Sequence, residues 1–254
     1  MRARDHSWLR RTPIAHRGLH DITQGIVENS LSAFRAAIAA GYAIELDLQP
    51  SIDGEAMVFH DETLDRLTEA SGKVSLRSAR ALSSLKLDGS TDTIPTLAQV
   101  LELVGGRVPL LIEIKAWTRR VGDLEARTAE LLRDYAGPVA VQSFNPLTLR
   151  WYRRNAPVIP RGLLSTDYRA PVPFRLSRRA RFMLRHLLTA PAIRPHFIAY
   201  DVRALPALAP RIARALGLPL IAWTVASEQE WRIGARYADN IIFEGFRAPL
   251  LQGA

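Results

Sequence analysis

The chain has 254 residues, 48% of them hydrophobic, a length and apolar content that suit one large α/β barrel or two small domains, with the barrel the better fit. Cysteine is absent, which excludes a disulfide framework and a thiolate metal site, so any metal must be held by oxygen or imidazole donors. The formal charge of +9 comes almost wholly from arginine, 31 Arg against 3 Lys, but the arginines are spread along the chain with no zinc-finger, RRM or KH signature, which argues against nucleic acid as a partner.

Residues 1–11 carry four arginines and no apolar stretch of signal-peptide length. No later run reaches the roughly 18 apolar residues of a membrane span, so a cytoplasmic location is expected. Residues 12–17 read as a first strand ending in His16-Arg17-Gly18, and 28–40 as a helix capped by Asn29 or Ser30 and closed by Gly41. Glu28 is then either a contact at the mouth of the fold or a first-turn charge on the helix dipole. Residues 42–48 form the second strand. Asp53-Gly54 between apolar runs signals a hairpin, because the connection is too short for a parallel crossover. With those two residues at the centre of the turn, His60 falls opposite Asp47; another loop length moves it toward Glu45.

Residues 61–95 read as an excursion rich in Ser, Thr and charge, followed by a helix over 96–105. From there strand signals fall near 109–115, 138–144, 158–164, 196–201, 218–224 and 240–244, with helical patterns at 124–135, 205–216 and 228–237. With the first two strands this makes eight, the arithmetic of a TIM barrel. A doubly wound open sheet is disfavoured because no Gly-rich phosphate fingerprint follows the first strand. His16, Arg17, Glu45, Asp47, Glu113, Lys115, Gln142 and Trp223 all lie at or near carboxyl ends of these strands, and in a barrel those ends share one mouth.

Two strands place charge among aliphatics: Ala43-Ile44-Glu45-Leu46-Asp47-Leu48 and Leu110-Leu111-Ile112-Glu113-Ile114-Lys115. Side chains two apart share a strand face, so Glu45 with Asp47, and Glu113 with Lys115, bring three carboxylates and an ammonium together. An internal salt-bridge network of Lys115 with the acids is one reading. The scarcity of lysine points to another, since a compact ammonium suits phosphate or metal-site chemistry where a guanidinium fork is too large.

Ile14-Ala15-His16-Arg17-Gly18, Glu28-Asn29-Ser30, Glu45-Leu46-Asp47, Asp53-Gly54, Phe59-His60-Asp61, Ile112-Glu113-Ile114-Lys115, Gln142-Ser143-Phe144 and Ala222-Trp223-Thr224-Val225 together resemble the ordered motifs of the glycerophosphodiester phosphodiesterases. The resemblance runs from about residue 12 to 247. It implies one distorted TIM barrel over 1–254 with an insertion at about 61–95. It further implies a catalytic pair, His16 and His60, a divalent cation held by Glu45, Asp47 and Glu113, and phosphate contacts from Arg17 and Lys115. Three carboxylates without a soft ligand suit Mg²⁺ or Ca²⁺. Gln142, Phe144, Tyr200 and Trp223 are candidate substrate contacts; for the aromatics the alternative is core packing. His6, His186 and His196 read as ordinary histidines, and His20 as a loop residue that could line the mouth.

The implied reaction is hydrolysis of a glycerophosphodiester to an alcohol and glycerol 3-phosphate. Alternatives are a phospholipase-like activity on lysophospholipids or phosphoinositides, and a catalytically silent barrel that binds phosphate-bearing ligands. The chain departs from the family pattern at the last strand, which reads Ile241-Ile242-Phe243-Glu244 where a Thr-Asp pair is usual. Residues 174–188 interleave five arginines with apolar residues. This segment is either a barrel helix with its stripe packed inward or a peripheral contact with an anionic membrane.

Overall fold

A computed structural model describes residues 5–116, 120–169 and 176–250. The strands in chain order are β1 (Ile14–Ala15), β2 (Ala43–Pro50), β3 (Ala56–Val58), β4 (Leu110–Ile114), β5 (Val139–Ser143), β6 (Arg161–Ser165), β7 (Phe197–Asp201), β8 (Leu220–Val225) and β9 (Asn240–Phe243). All but β3 are parallel neighbours, and β1 closes the ring by pairing with both β2 (Ile14 beside Ala43) and β9 (Ile14 beside Ile242). The result is the expected closed eight-stranded parallel barrel. Around it lie α1 (Leu31–Ala40), α2 (Ala79–Ser83), α3 (Leu97–Val104), α4 (Asp123–Arg133), α5 (Pro146–Asn155), α6 (Arg178–Arg185), α7 (Ala190–Ile193), α8 (Leu208–Ala215) and α9 (Glu228–Tyr237).

Strand alternation separates two apolar layers. One face of the strands, with Ile44, Leu46, Leu48, Leu110, Ile112, Val141, Leu163, Ile198 and Leu220, packs outward on the helices. The other fills the barrel: Ile14, Ala43, Leu111, Ala140, Leu164, Phe197, Ala199, Ile221 and Ile242 pack together, with Trp8 and Leu9 closing the floor. Gly162 belongs to this interior, because a Cβ there would lie 2.1 Å from the Phe197 ring. The helix ends follow local chemistry: Ser30 accepts from the Ala33 N–H at the start of α1, Gly41 ends it at φ +73°, and Thr96 with Gln99 forms a capping box on α3.

Three local expectations need correction. The helix read over 28–40 begins at Leu31, because Asn29 adopts φ +56° and turns away from the helix. The strand read at 158–164 is Arg161–Ser165, since Ile159 is buried in the core without joining the ladder. The hairpin exists, but its loop occupies 51–55, closed by the Ser51 N–H donating to Glu55 O at 3.0 Å, and pairs Leu48 with Val58. That shifts the register by one, so Phe59 rather than His60 lies level with Asp47, its N–H donating to Asp47 O at 3.0 Å.

Residues 61–95 carry bridges between Thr63 and Lys73 and between Lys86 and Thr93. Leu64, Val74, Leu82, Leu87 and Ile94 pack under these loops with Met57 and Phe59. Of the arginine-rich segment, residues 174 and 175 lie outside the described residues; the remainder contains α6, with Leu184 and Leu187 buried and Phe182 and Leu188 exposed. No helix among the described residues is long and apolar enough to cross a membrane.

Candidate active site

Moving up each barrel strand by two residues changes the inward face from apolar to polar. Ile14 is followed by His16, Ala43 by Glu45 and Asp47, Leu111 by Glu113 and Lys115, Ala140 by Gln142 and Phe144, and Leu164 by Thr166. Ala199 is followed by Asp201, Ile221 by Trp223, and Ile242 by Glu244. Eight strands thus carry a dry lower barrel and a polar mouth on one continuous face.

Glu45, Asp47 and Glu113 are buried, with one carboxylate oxygen of each lying within 4.8 Å of the others. Lys115 Nζ sits 2.8 Å from Asp47 Oδ1 and 2.7 Å from Glu113 Oε1, so the expected salt-bridge network forms but leaves Glu45 outside it. Arg17, in the left-handed region at φ +53°, donates its backbone N–H to Glu45 Oε2 at 3.0 Å and places Nε 3.3 Å from Asp47 Oδ2. Gly18 follows at φ +80°, where a Cβ would meet the Ala33 backbone at 2.9 Å; this close approach explains the glycine in His-Arg-Gly.

The carboxylates are unequal. Burial, then the neighbouring Asp47 and Glu113, push the Glu45 carboxyl well above its ordinary range. Burial also acts upward on Asp47, but Lys115, then His60 and Arg17, outweigh it and hold Asp47 ionised well below the usual range. Burial and like-charge crowding make Glu45 the carboxyl of the three that most resists ionising without a further counter-charge. Hard oxygen donors so crowded fit a divalent cation, and this cluster could chelate one.

Each mouth histidine has a carboxylate on Nδ1. His16 Nδ1 is 2.6 Å from Glu244 Oε2, and His60 Nδ1 is 2.6 Å from Asp61 Oδ1. Burial lowers the His16 pKa against the opposing pull of Glu244. The hydrogen bond with His16, then that with His20, holds the Glu244 carboxyl well below its usual range. Although the hairpin register differs from expectation, Gln49 Nε2 donates to the carbonyls of His60 and Asp61 and fixes the chain where it leaves β3. A polar chain runs on from there: Arg66 Nε reaches Asp61 Oδ2 at 2.5 Å, Arg66 Nη2 reaches Glu28 Oε1 at 2.7 Å, and Arg17 Nη1 reaches the same Glu28 oxygen at 2.6 Å. Glu28 is therefore a mouth residue. Ser30 is the helix cap, whereas Asn29 Nδ2 donates to Asp47 Oδ2 at 2.9 Å.

Gln142 stands beside Glu113 in register, its buried Oε1 without a partner among the described residues. Phe144 and Trp223 meet edge to face with centroids 5.5 Å apart on the inward face. Tyr200 does not join them: it is fully buried on the outward face, its hydroxyl donating to Arg185 O at 3.2 Å. Sequence reasoning missed Glu244 and Arg66 as partners of this site. The signal for Glu244 was barrel closure, since pairing Ala15 with Phe243 makes His16 and Glu244 the next step upward.

Curated relatives include a glycerophosphodiester phosphodiesterase of Caldanaerobacter subterraneus, 35% identical over 163 residues (59% of this chain, 65% of the relative). The match to a glycerophosphodiester phosphodiesterase 1 of Bos taurus is 33% identical over 43% of this chain and 35% of the relative. The chain thus spans slightly less than two thirds of the first of these relatives and about a third of the second. Among solved structures, an Oleispira antarctica phosphodiesterase in complex with the product sn-glycerol-3-phosphate superposes with a TM-score of 0.76 at 21% identity, over 91% of both chains. That likeness establishes a shared fold. The family model for glycerophosphoryl diester phosphodiesterases matches residues 16–243, from the histidine that follows β1 to the last residue of β9, and the chain belongs to that family.

Proposed function

We propose that this protein is a metal-dependent phosphodiesterase that hydrolyses a glycerophosphodiester to an alcohol and glycerol 3-phosphate. The observation that carries the reading is the pairing of each mouth histidine with a carboxylate at 2.6 Å, alongside three buried carboxylates within 4.8 Å of one another. A protein that only bound phosphate would have no use for two oriented imidazoles. Family membership and the names of the curated relatives supply the substrate class.

In this reading Glu45, Asp47 and Glu113 hold Mg²⁺ or Ca²⁺, which when bound offsets the negative charge of the phosphoryl oxygens. Arg17 and Lys115 bind those oxygens and stabilise the charge that develops on them. Their positions are set from behind, Arg17 by Glu28 and Asp47, and Lys115 by Asp47 and Glu113. With Nδ1 engaged by Glu244 or Asp61, each imidazole presents Nε2 to the substrate. One takes the proton of the attacking oxygen as its bond to phosphorus forms; the other gives a proton to the alcohol oxygen as that bond to phosphorus breaks. Gln142, Phe144 and Trp223 line the mouth beside the phosphate. Residues 61–95 serve as an insertion in one barrel domain, supplying Asp61 and Arg66 to orient His60.

The test is a panel of glycerophosphodiesters with different head groups, assayed for glycerol 3-phosphate with and without EDTA. Release of glycerol 3-phosphate that stops on chelation and returns with Mg²⁺ or Ca²⁺ is expected. Full activity in metal-stripped protein, or no activity on any member of the panel, contradicts the reading.

A further inference from the structure

Two neighbouring helices leave apolar side chains in solvent among unpaired arginines. On and just after α6, Phe182 and Leu188 are 58% and 53% exposed; on and just after α8, Leu208, Ile212 and Leu216 are 69%, 50% and 80% exposed. Leu208, Ile212 and Leu216 are four apart, so they form one stripe along α8. The two segments flank one cavity of about 400 Å³, lined by Arg185 and His186 from the first and by Leu208 from the second, with Arg203 between; the His186 ring in turn lies 4.5 Å from that of Phe182.

The charge of this face is one-sided. Residues 176–217 contain eight arginines and a single acid, Asp201, and the acid that lines the cavity, Asp167, is paired with Arg169. Arg203 and Arg214 are taken up by Glu230 and Asp239. Arg178, Arg179, Arg181, Arg185, Arg194 and Arg211 have no acidic partner among the described residues. The face also borders the mouth: Ser165 Oγ donates to Leu184 O at 3.0 Å and Tyr200 Oη to Arg185 O at 3.2 Å, from the upper ends of β6 and β7.

We propose that the α6–α8 face docks on an anionic phospholipid bilayer, with Phe182, Leu188, Leu208 and Ile212 entering the interface and Arg178, Arg179 and Arg181 meeting lipid phosphates. Arginine with interleaved apolar side chains is the composition that an anionic lipid surface recognises. A nucleic acid would match the charge but leave the apolar stripe in water, and a second copy would set like charge against like.

The experiment is cosedimentation of the full chain with phosphatidylcholine vesicles, with and without about 30% phosphatidylglycerol. Binding should require the anionic lipid and weaken with added salt. Replacing Arg178, Arg179 and Arg181 with Gln should weaken binding by about 100-fold, at roughly fivefold per arginine at the surface. Phe182→Ser with Leu208→Ser should weaken it by about tenfold or more, through loss of buried apolar area. Turnover of a soluble glycerophosphodiester should be unchanged in both variants, which separates this proposal from the hydrolysis reading. The proposal is overturned if the parent ignores anionic vesicles at low salt. It is also overturned if the serine variant binds like the parent while duplex DNA competes, which marks a polyanion site, or if light scattering shows that the stripe is covered by a second copy.

Discussion

Glu244 is the residue whose role the sequence concealed most completely. Read along the chain it is only a departure from the family's usual Thr-Asp ending, yet across the closed barrel its carboxylate holds His16 Nδ1 at 2.6 Å. The three carboxylates and Lys115 were legible because charge on an inward strand face needs a partner; Glu244 was not, because its partner is 228 positions away. Glu244→Gln should lower kcat by about 10²-fold, toward the lower end of what a positioned acid or base supplies, with KM and metal-induced stabilisation little changed. Steady-state kinetics beside thermal melts check this, and a parental kcat would remove Glu244 from the positioning role. A second residue-scale prediction concerns His196, whose ring lies 5.5 Å from that of His6 at the foot of the barrel. Burial, then the charges of Arg161 and His6, lower its pKa to about 4. An unfolded chain takes up this proton near pH 6.5, so between about 6.5 and 4 the unfolded state binds more protons and stability decreases as the pH is lowered. The unfolding midpoint of His196→Gln should lose part of that slope in this window; parallel curves for variant and parent would show that the group does not titrate this way.

At the scale of elements, the strands were readable because a parallel barrel buries both strand faces, giving near-continuous aliphatic runs. The exceptions have local causes. Val158 and Ile159 are aliphatic and Ile159 is buried, but the ladder on β5 begins with Arg161 beside Val141. The hairpin turn was recognised from Asp53-Gly54, but its loop length was not, because Ser51 binds Glu55 across the loop instead of letting the ladder run to a two-residue turn. Gly162 carries the clearest element-scale prediction. Phe197 occupies the space of its missing side chain, and a ring packed inside a closed barrel cannot swing aside. Gly162→Ala should therefore destabilise the fold by about 1–3 kcal/mol, the usual cost of overpacking. Denaturant unfolding measures it, and an unchanged midpoint would mean that β6 and β7 yield more easily than their packing indicates.

Across the whole molecule, barrel closure converts eight separate strand endings into one polar mouth above a dry core. The crowding of Glu45, Asp47 and Glu113 there implies that the metal-free fold is strained by like charge. Adding Mg²⁺ or Ca²⁺ to EDTA-treated protein should raise Tm, by the equivalent of about 2.7 kcal/mol at a hundredfold excess over Kd. Glu113→Gln should diminish that gain, and a Tm indifferent to either ion would contradict the cation assignment. The central claim, that His16 and His60 act as the acid–base pair of a phosphodiesterase, is tested most directly by comparing His16→Ala and His60→Ala on a glycerophosphodiester and on a nitrophenyl phosphodiester whose leaving group needs no protonation. Each variant should lose roughly 10²–10⁴-fold in turnover on the glycerophosphodiester, with non-additive losses in the double variant, and the nitrophenyl substrate should restore turnover in one variant only. Near-parental turnover of the glycerophosphodiester by both variants would contradict the account.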